Sequence, residues 1–368
     1  MSCLKILAVA DPALAAYTDK NLNIFQGFEG TVSFEQFKWA DYIQKLNQSL
    51  YESLDFDIVM IPGHLFLKDL VTKNLLYKTL KHKAPYFKSL YYDLEINNQN
   101  YALPSFYDGH IIVYRKGYDK RLDSNESLYL STDEFCDIAK TSFKGKFSLK
   151  AHPSEIFTDA LPFLRFFDAQ NNLVDVFNDD GTVRDLTIFE KRLLKYCDLK
   201  DYAIDNTHLF GNDEVANAFI ENKTNLMVTW SGQLSLINNK MPLNNKDFGF
   251  KTFDSSWSVT WEFVILQKSK QKDKALELFE YLQSLDIDTK CFTYSGTTLR
   301  QDNAINYPWK DANTALLNSY TPLPHPKNSN INAFLYEYIY KAFTRELSPH
   351  DALCEANLKI KQLMESQI

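Results

Sequence analysis

The chain has 368 residues, with 40 Lys+Arg against 47 Asp+Glu and a formal net charge of −7. That length exceeds what one hydrophobic core usually organises and predicts about two domains. Net acidity removes the cationic field that phosphate-backbone binders need, which argues against nucleic acid as a partner. No apolar run approaches the ~20 residues that span a bilayer, and 45% apolar with 24% charged residues is an ordinary globular composition. The unusual feature is 27 Phe, 21 Tyr and 5 Trp beside only 11 Gly.

Apolar runs alternate with helix-period segments, the pattern of an α/β fold with mainly parallel sheets. Residues 4–10 read as the first core strand. The N-terminal MSCLKILAVA has one Lys and a short apolar stretch that Asp11 and Pro12 interrupt, which is too little for a secretory signal. The chain is therefore expected to work in the cytoplasm or to have had a signal removed. Residues 31–37 alternate as a second strand. Residues 41–51 are helical, with Tyr42, Leu46 and Leu50 on one face. Residues 56–61 form a buried strand that stops at Pro62-Gly63, the kind of strand end where open α/β sheets hold ligands. Residues 110–115, 225–230 and 259–267 are further strands, and Pro104 to Asp108 comes just before the first of them. Residues 274–285 form an amphipathic helix with Ala275, Leu278, Phe279 and Leu282 together. Pro322, Pro324 and Pro326 mark an extended connection. The last helix starts with Ser348 as N-cap, Pro349 in the first turn and Asp351 near the positive dipole end.

Five cysteines, Cys3, Cys136, Cys197, Cys291 and Cys354, stand far apart with no CxxC pair, so neither a disulfide framework nor a thiolate zinc site is expected. The seven histidines form no HExxH or HxH cluster. No GxSxG, GxxxxGK[ST] or GxGxxG motif is present. The expectation is no catalytic residue, no metal and no cofactor.

The strand ends carry another chemistry. Asp11 follows the first strand and His64 the third. Tyr107 and Asp108 precede a crossover strand, Trp230 and Gln233 follow another, and Trp257, Trp261 and Glu262 cluster further on. Aromatic faces with a few carboxylates and amides suit a sugar ring or a flat organic cation. The C–H face or the positive charge stacks on the π-face, and polar groups fix the hydroxyls or amines.

In this order the segments resemble the extracellular solute-binding proteins of ATP-driven ABC importers, in particular the sugar and oligosaccharide family. FKWADYIQKLNQSL followed by FDIVMIPGHLF is similar to the family's helix and Asp-led strand. NNQNYALPSFYDGHIIVYRKGYD is similar to its crossover, and VANAFIENKTNLMVTWSGQ to its glycine–tryptophan segment. KALELFEYLQS and SPHDALCEANLKIKQLM are similar to its late helices. The resemblance implies two α/β lobes of the type II periplasmic-binding-protein fold, hinge-connected and closing on ligand. Residues 1–108 with 253–305 would form one lobe, and 109–252 with 306–368 the other. It implies a monomer that is exported or lipid-anchored, takes a small polar ligand and delivers it to the importer's permease subunits. Asp108 falls where maltose-type members present a sugar-binding carboxylate, and His64 where they place a polar ligand residue. Trp230 and Gln233 fall in their glycine–tryptophan loop, and Asp11 in the other usual contact loop.

The segment YALP…IIVYRKG is also similar to thiaminase I. That family's cysteine nucleophile falls on Asp108 and its general-base glutamate near Gly232, so both catalytic groups are missing. Glu262 matches an acidic residue of that family's cleft. This second resemblance implies a pocket for a thiamine-like or pyrimidine ligand.

Overall fold

The computed structural model describes residues 3–53, 55–124, 126–178, 180–241, 247–295, 298–306, 316 and 327–365. Its main sheet has nine strands: β1 (Cys3–Val9), β2 (Thr31–Phe37), β3 (Ile58–Pro62), β4 (Ala102–Arg115), β5 (Tyr129–Leu130), β6 (Phe147–Ser148), β7 (Leu226–Trp230), β8 (Phe248–Phe253) and β9 (Ser258–Ile265). The order is β2-β1-β3-β9-β4-β7-β6, with β8 also paired to β4 and β5 to β8.

The sheet is parallel only at its flanks. β1 pairs in parallel with β2 and β3, β7 with β6, and β8 with β5. The four pairings in the middle, β9 on β3 and β4, and β7 and β8 on β4, are antiparallel. This corrects the expectation of mainly parallel sheets. Strands buried on both faces read as apolar runs whichever way they point, so the sequence pattern carries no direction.

β4 is the long element that joins the halves. Residues 102–109 pair with β9, and residues 110–114 pair with β7. The segment Pro104 to Asp108, expected just before this strand, is therefore part of it. Pro104 is accommodated where the register against β9 shifts between Trp261 and Glu262, a bulge that removes the need for a ladder N–H.

Two apolar cores sit on either side of this crossover. The first gathers Leu4, Ile58–Ile61, Tyr107 and Phe263 with the Lys272–Leu282 helix residues Ala275, Leu278 and Phe279. The second gathers Ile112, Phe135, Phe163, Leu226 and Trp257 with the closing helices Asn328–Thr344 and Pro349–Glu365. Trp261 packs against both. A smaller cluster of Val113, Phe219, Met227 and Leu234 covers the other face of β4 and β7.

Local signals in the sequence act as expected at several ends. Tyr42, Leu46 and Leu50 are the buried stripe of the Trp39–Tyr51 helix. Ser348 Oγ accepts the Asp351 N–H at 3.0 Å, capping the last helix just before Pro349. The Pro322, Pro324 and Pro326 connection lies outside the described residues. Among the described residues no helix is long and apolar enough to cross a membrane.

Candidate functional site

The crossover brings strand ends and helix starts together around a cleft of about 690 Å³, part of it open to solvent. Asp11 comes from the end of β1, Pro62, His64 and Leu65 from the end of β3, and Asp108 from β4. Trp230 ends β7, and Val259 and Trp261 lie on β9 with Trp257 just before it. The N-terminal ends of the helices Trp39–Tyr51, Ile156–Leu164 and Asn212–Ile220 contribute Trp39, the Ser154-Glu155-Thr158 group and Asn212, and Tyr336 reaches in from Asn328–Thr344. Elements from both sides of the crossover thus face one space.

Six of the nine residues expected from sequence line this cleft: Asp11, His64, Asp108, Trp230, Trp257 and Trp261. Tyr107 instead lies in the first core, where its hydroxyl donates to the Leu316 carbonyl at 3.0 Å and bonds Ser258. Gln233 is buried at the end of the turn after Trp230, outside the lining. Glu262 is buried next to Trp261, also outside the lining, since successive strand residues point to opposite faces.

The aromatic wall has a definite geometry. Trp230 and Trp257 meet edge-to-face at 5.2 Å, and His64 meets Trp257 likewise at 5.3 Å. His110 stacks on Trp230 at 4.4 Å, and Lys150 Nζ lies 4.1 Å from the Trp230 ring centroid. With both neighbours on it, Trp230 is only 8% exposed and has little free face. Trp39, 41% exposed and edge-on to Trp261 at 6.0 Å, is the more open aromatic.

Three carboxylates face the same space. Asp11 Oδ1 accepts the Ala13 N–H at 2.8 Å, capping a short turn. Asp108 Oδ1 accepts Ser231 Oγ–H at 2.8 Å and the Gly232 N–H at 3.0 Å, tying β4 to the loop after β7. Gly232 sits between the pair: a Cβ there would lie 3.4 Å from Asp11 Oδ1 and 3.5 Å from Asp108 Oδ2. Glu155 takes the Trp230 indole N–H and an Asn212 amide N–H, each at 3.3 Å.

Burial, and then the neighbouring Asp108 carboxylate, push Asp11 up to about 7. Burial also pushes Glu155 up to about 7, opposed by Lys150 and the Trp230 N–H. Asp108 is raised by burial too, with the Gly232 and Ser231 bonds pulling against it. Burial takes His64 down to about 3, so it is neutral at physiological pH. Lys150, fully buried, is held behind Trp230 with its Nζ 3.8 Å from Asp159, whose other oxygen accepts Tyr196 O–H at 2.8 Å.

Sequence reasoning missed Glu155, Asn212, Trp39 and Tyr336. For Glu155 a signal existed: His152-Pro-Ser-Glu155 just ahead of an apolar run is a helix-start pattern. Tyr336 had none, because it lies inside a long helix far from any strand end. None of the five cysteines lines the cleft, and Asp108 at the thiaminase nucleophile position is engaged by the loop after β7. Among the described residues no group of three His, Cys, Asp or Glu is placed to hold a metal ion.

The fold and an acid-and-tryptophan cleft between two cores define a two-lobed α/β binding protein. Residues 13–312 match the profile of the bacterial extracellular solute-binding proteins, and the chain belongs to that family. No curated protein sequence matches it. Among solved structures, an ABC-transporter solute-binding protein of Thermotoga lettingae bound with α-D-tagatose superposes with a TM-score of 0.83 at 18% identity, over 99% of this chain and 100% of that one. Maltose-bound MalE3 of T. maritima gives 0.78 at 14%, over 98% and 99%. An ABC-transporter solute-binding protein of Agrobacterium radiobacter in complex with ribitol gives 0.75 at 13%, over 98% of both chains. These likenesses establish a periplasmic-binding-protein fold.

Proposed function

We propose that this solute-binding protein takes a small sugar or polyol in the Asp108 cleft and passes it to the membrane subunits of an ABC importer. In this reading it acts outside the cytoplasmic membrane, as a monomer. The observation that carries it is the convergence of Trp39, Trp257 and Trp261 with Asp11, Asp108 and Glu155 between the two cores. Carboxylates and amides hold ring hydroxyls while indole faces cover C–H surface. The sugar- and polyol-bound structural neighbours support the ligand class.

Residues 1–108 with 253–305 would move as one lobe and 109–252 with 306–368 as the other, closing over the ligand by bending at β4 and β9. The partition of the cores supports that division away from its boundaries: Leu316 packs with the first core although it belongs to the second segment, and Phe253, Trp257 and Val259 pack with the second core although they belong to the first.

Thermal-shift and calorimetric titration with monosaccharides, disaccharides and sugar alcohols tests the reading. A bound ligand at a hundredfold excess over Kd raises stability by about 2.7 kcal/mol. Asp108→Ala then weakens binding by ~1–3 kcal/mol. Absence of any shift across the panel would remove the sugar assignment, and unchanged affinity in Asp108→Ala would remove that residue from the site.

A further inference from the structure

The polar groups of the cleft are unbalanced. Asp11, Asp108, Glu155 and Asn212 bring acceptors to one space, whereas no Lys or Arg is among the described lining residues. Three nearby donors are already committed within the protein. The Trp230 indole N–H goes to Glu155, the Trp257 indole N–H goes to the Thr158 carbonyl at 3.1 Å, and an Asn212 amide N–H goes to Glu155. Carboxylate acceptor capacity remains open beside the indole N–H groups of Trp39 and Trp261. Asp108 Oδ2 faces Gly232 across from Asp11, and the buried Asn212 Oδ1 has no protein partner. His64, lining the same space at 6% exposure, has a buried Nδ1 that no protein group engages, and as a neutral imidazole the ring offers a ligand one N–H and one lone pair.

A neutral sugar hydroxyl both donates and accepts, so a site built for it supplies both kinds of group. An ammonium only donates, three times over, and its charge is complementary to carboxylates and to indole faces. Lys150 supplies one positive charge, but from behind Trp230 and beside Asp159, leaving the open side of the cleft to carboxylates.

We propose that the preferred ligand is an amine-bearing polyol, an amino sugar or amino alditol, whose ammonium lies between Asp11, Asp108 and Glu155. This rests on the sugar reading above and narrows it. Acidic groups that stand close without a cation between them repel one another, and a bound ammonium relieves that repulsion.

The test is calorimetry at pH 7 with pairs matched in size: D-glucitol against 1-amino-1-deoxy-D-glucitol, D-glucose against D-glucosamine, and D-galactose against D-galactosamine. The expected result is at least tenfold tighter binding of the amine in one or more pairs. The preference should collapse in Asp11→Asn/Glu155→Gln, which keeps shape and hydrogen bonding; circular dichroism and Tm confirm that this variant folds. If the neutral members bind as tightly as the amines, the amine assignment falls and the sugar reading stands. If putrescine binds while all six paired compounds fail, the sugar reading falls and the amino-polyol assignment with it. An amine preference that survives intact in the double variant also overturns the placement of the ammonium.

Discussion

Two sets of buried acids sit in this molecule and behave differently. At the base of the first core, Asp57 has both oxygens filled: Oδ2 accepts the Lys5 N–H at 3.1 Å and the Gln271 amide at 2.9 Å, and Oδ1 accepts Ser269 Oγ–H at 2.6 Å. Asp288 is similar, taking Thr298, the Leu299 N–H and Asn303 at 2.7, 3.2 and 2.7 Å. In the cleft, Asp11 has one short-range backbone donor, and Asp108 takes Ser231 and Gly232 on Oδ1 while its Oδ2 and Asp11 Oδ1 both stand beside Gly232. Burial alone does not mark a site. An acid whose acceptor capacity is filled by the fold is architecture, and one whose capacity is left facing a cavity is available to a ligand.

The strongest challenge to this division is Lys150, which lies behind the cleft yet touches both worlds. Removing it in Lys150→Met strands the buried Asp159 carboxylate, so unfolding in urea should show a loss of about 3–5 kcal/mol. A loss confined to ligand affinity, with stability intact, would move Lys150 from the architectural set into the site. Next in size is Asp57→Ala. Three donors lose their acceptor, and the expected cost is about 2–4 kcal/mol of stability with ligand affinity unchanged.

The cleft acids should show themselves through pH. Asp11 and Glu155 both stand near 7 in the fold against ordinary values of 3.8 and 4.5. The native state then holds protons that the unfolded chain has released. Stability is full below about pH 4 and falls as pH rises toward 7, the reverse of a salt-bridged carboxylate. In the ligand-free protein, Asp11→Asn/Glu155→Gln should flatten the fall of the urea midpoint across that window. An unaltered slope would show that these two groups are not the ones titrating.

The smallest effect on folding is expected for Gly232→Ala. Its methyl would make ordinary contacts of 3.4–3.5 Å with Asp11, Ala13 and Asp108, so stability should stay within about 0.5 kcal/mol. Ligand affinity should fall all the same, because the methyl stands between the two carboxylates. Equal affinity in the variant would place the ligand elsewhere in the cleft.

Much of the architecture was legible because it rests on local rules. Residues 31–37 alternate and are a strand; Ala275, Leu278 and Phe279 recur at helical spacing and are buried; Ser348 caps and Pro349 opens the last helix. Asp11, His64 and Trp230 could be picked out because each follows an apolar run, and strand ends in open α/β sheets gather at one edge. Strand direction was illegible, since fully buried strands lack a polar face. The strand around Pro104 was also missed, because the bulge that admits a proline depends on β9, more than 150 positions away.

The sequence by itself determined that two cores form and that acids and tryptophans stand at strand ends, since periodicity and punctuation are properties of neighbouring residues. Only the tertiary structure decided which of them share a cleft. It sent Trp261 into the cleft and Glu262 beside it out, enclosed Tyr107 with Leu316, covered Trp230 with His110 and Lys150, and added Glu155 and Asn212. Those outcomes depend on which face of a strand meets which core, and on whether a donor from a distant segment reaches an oxygen before a ligand can.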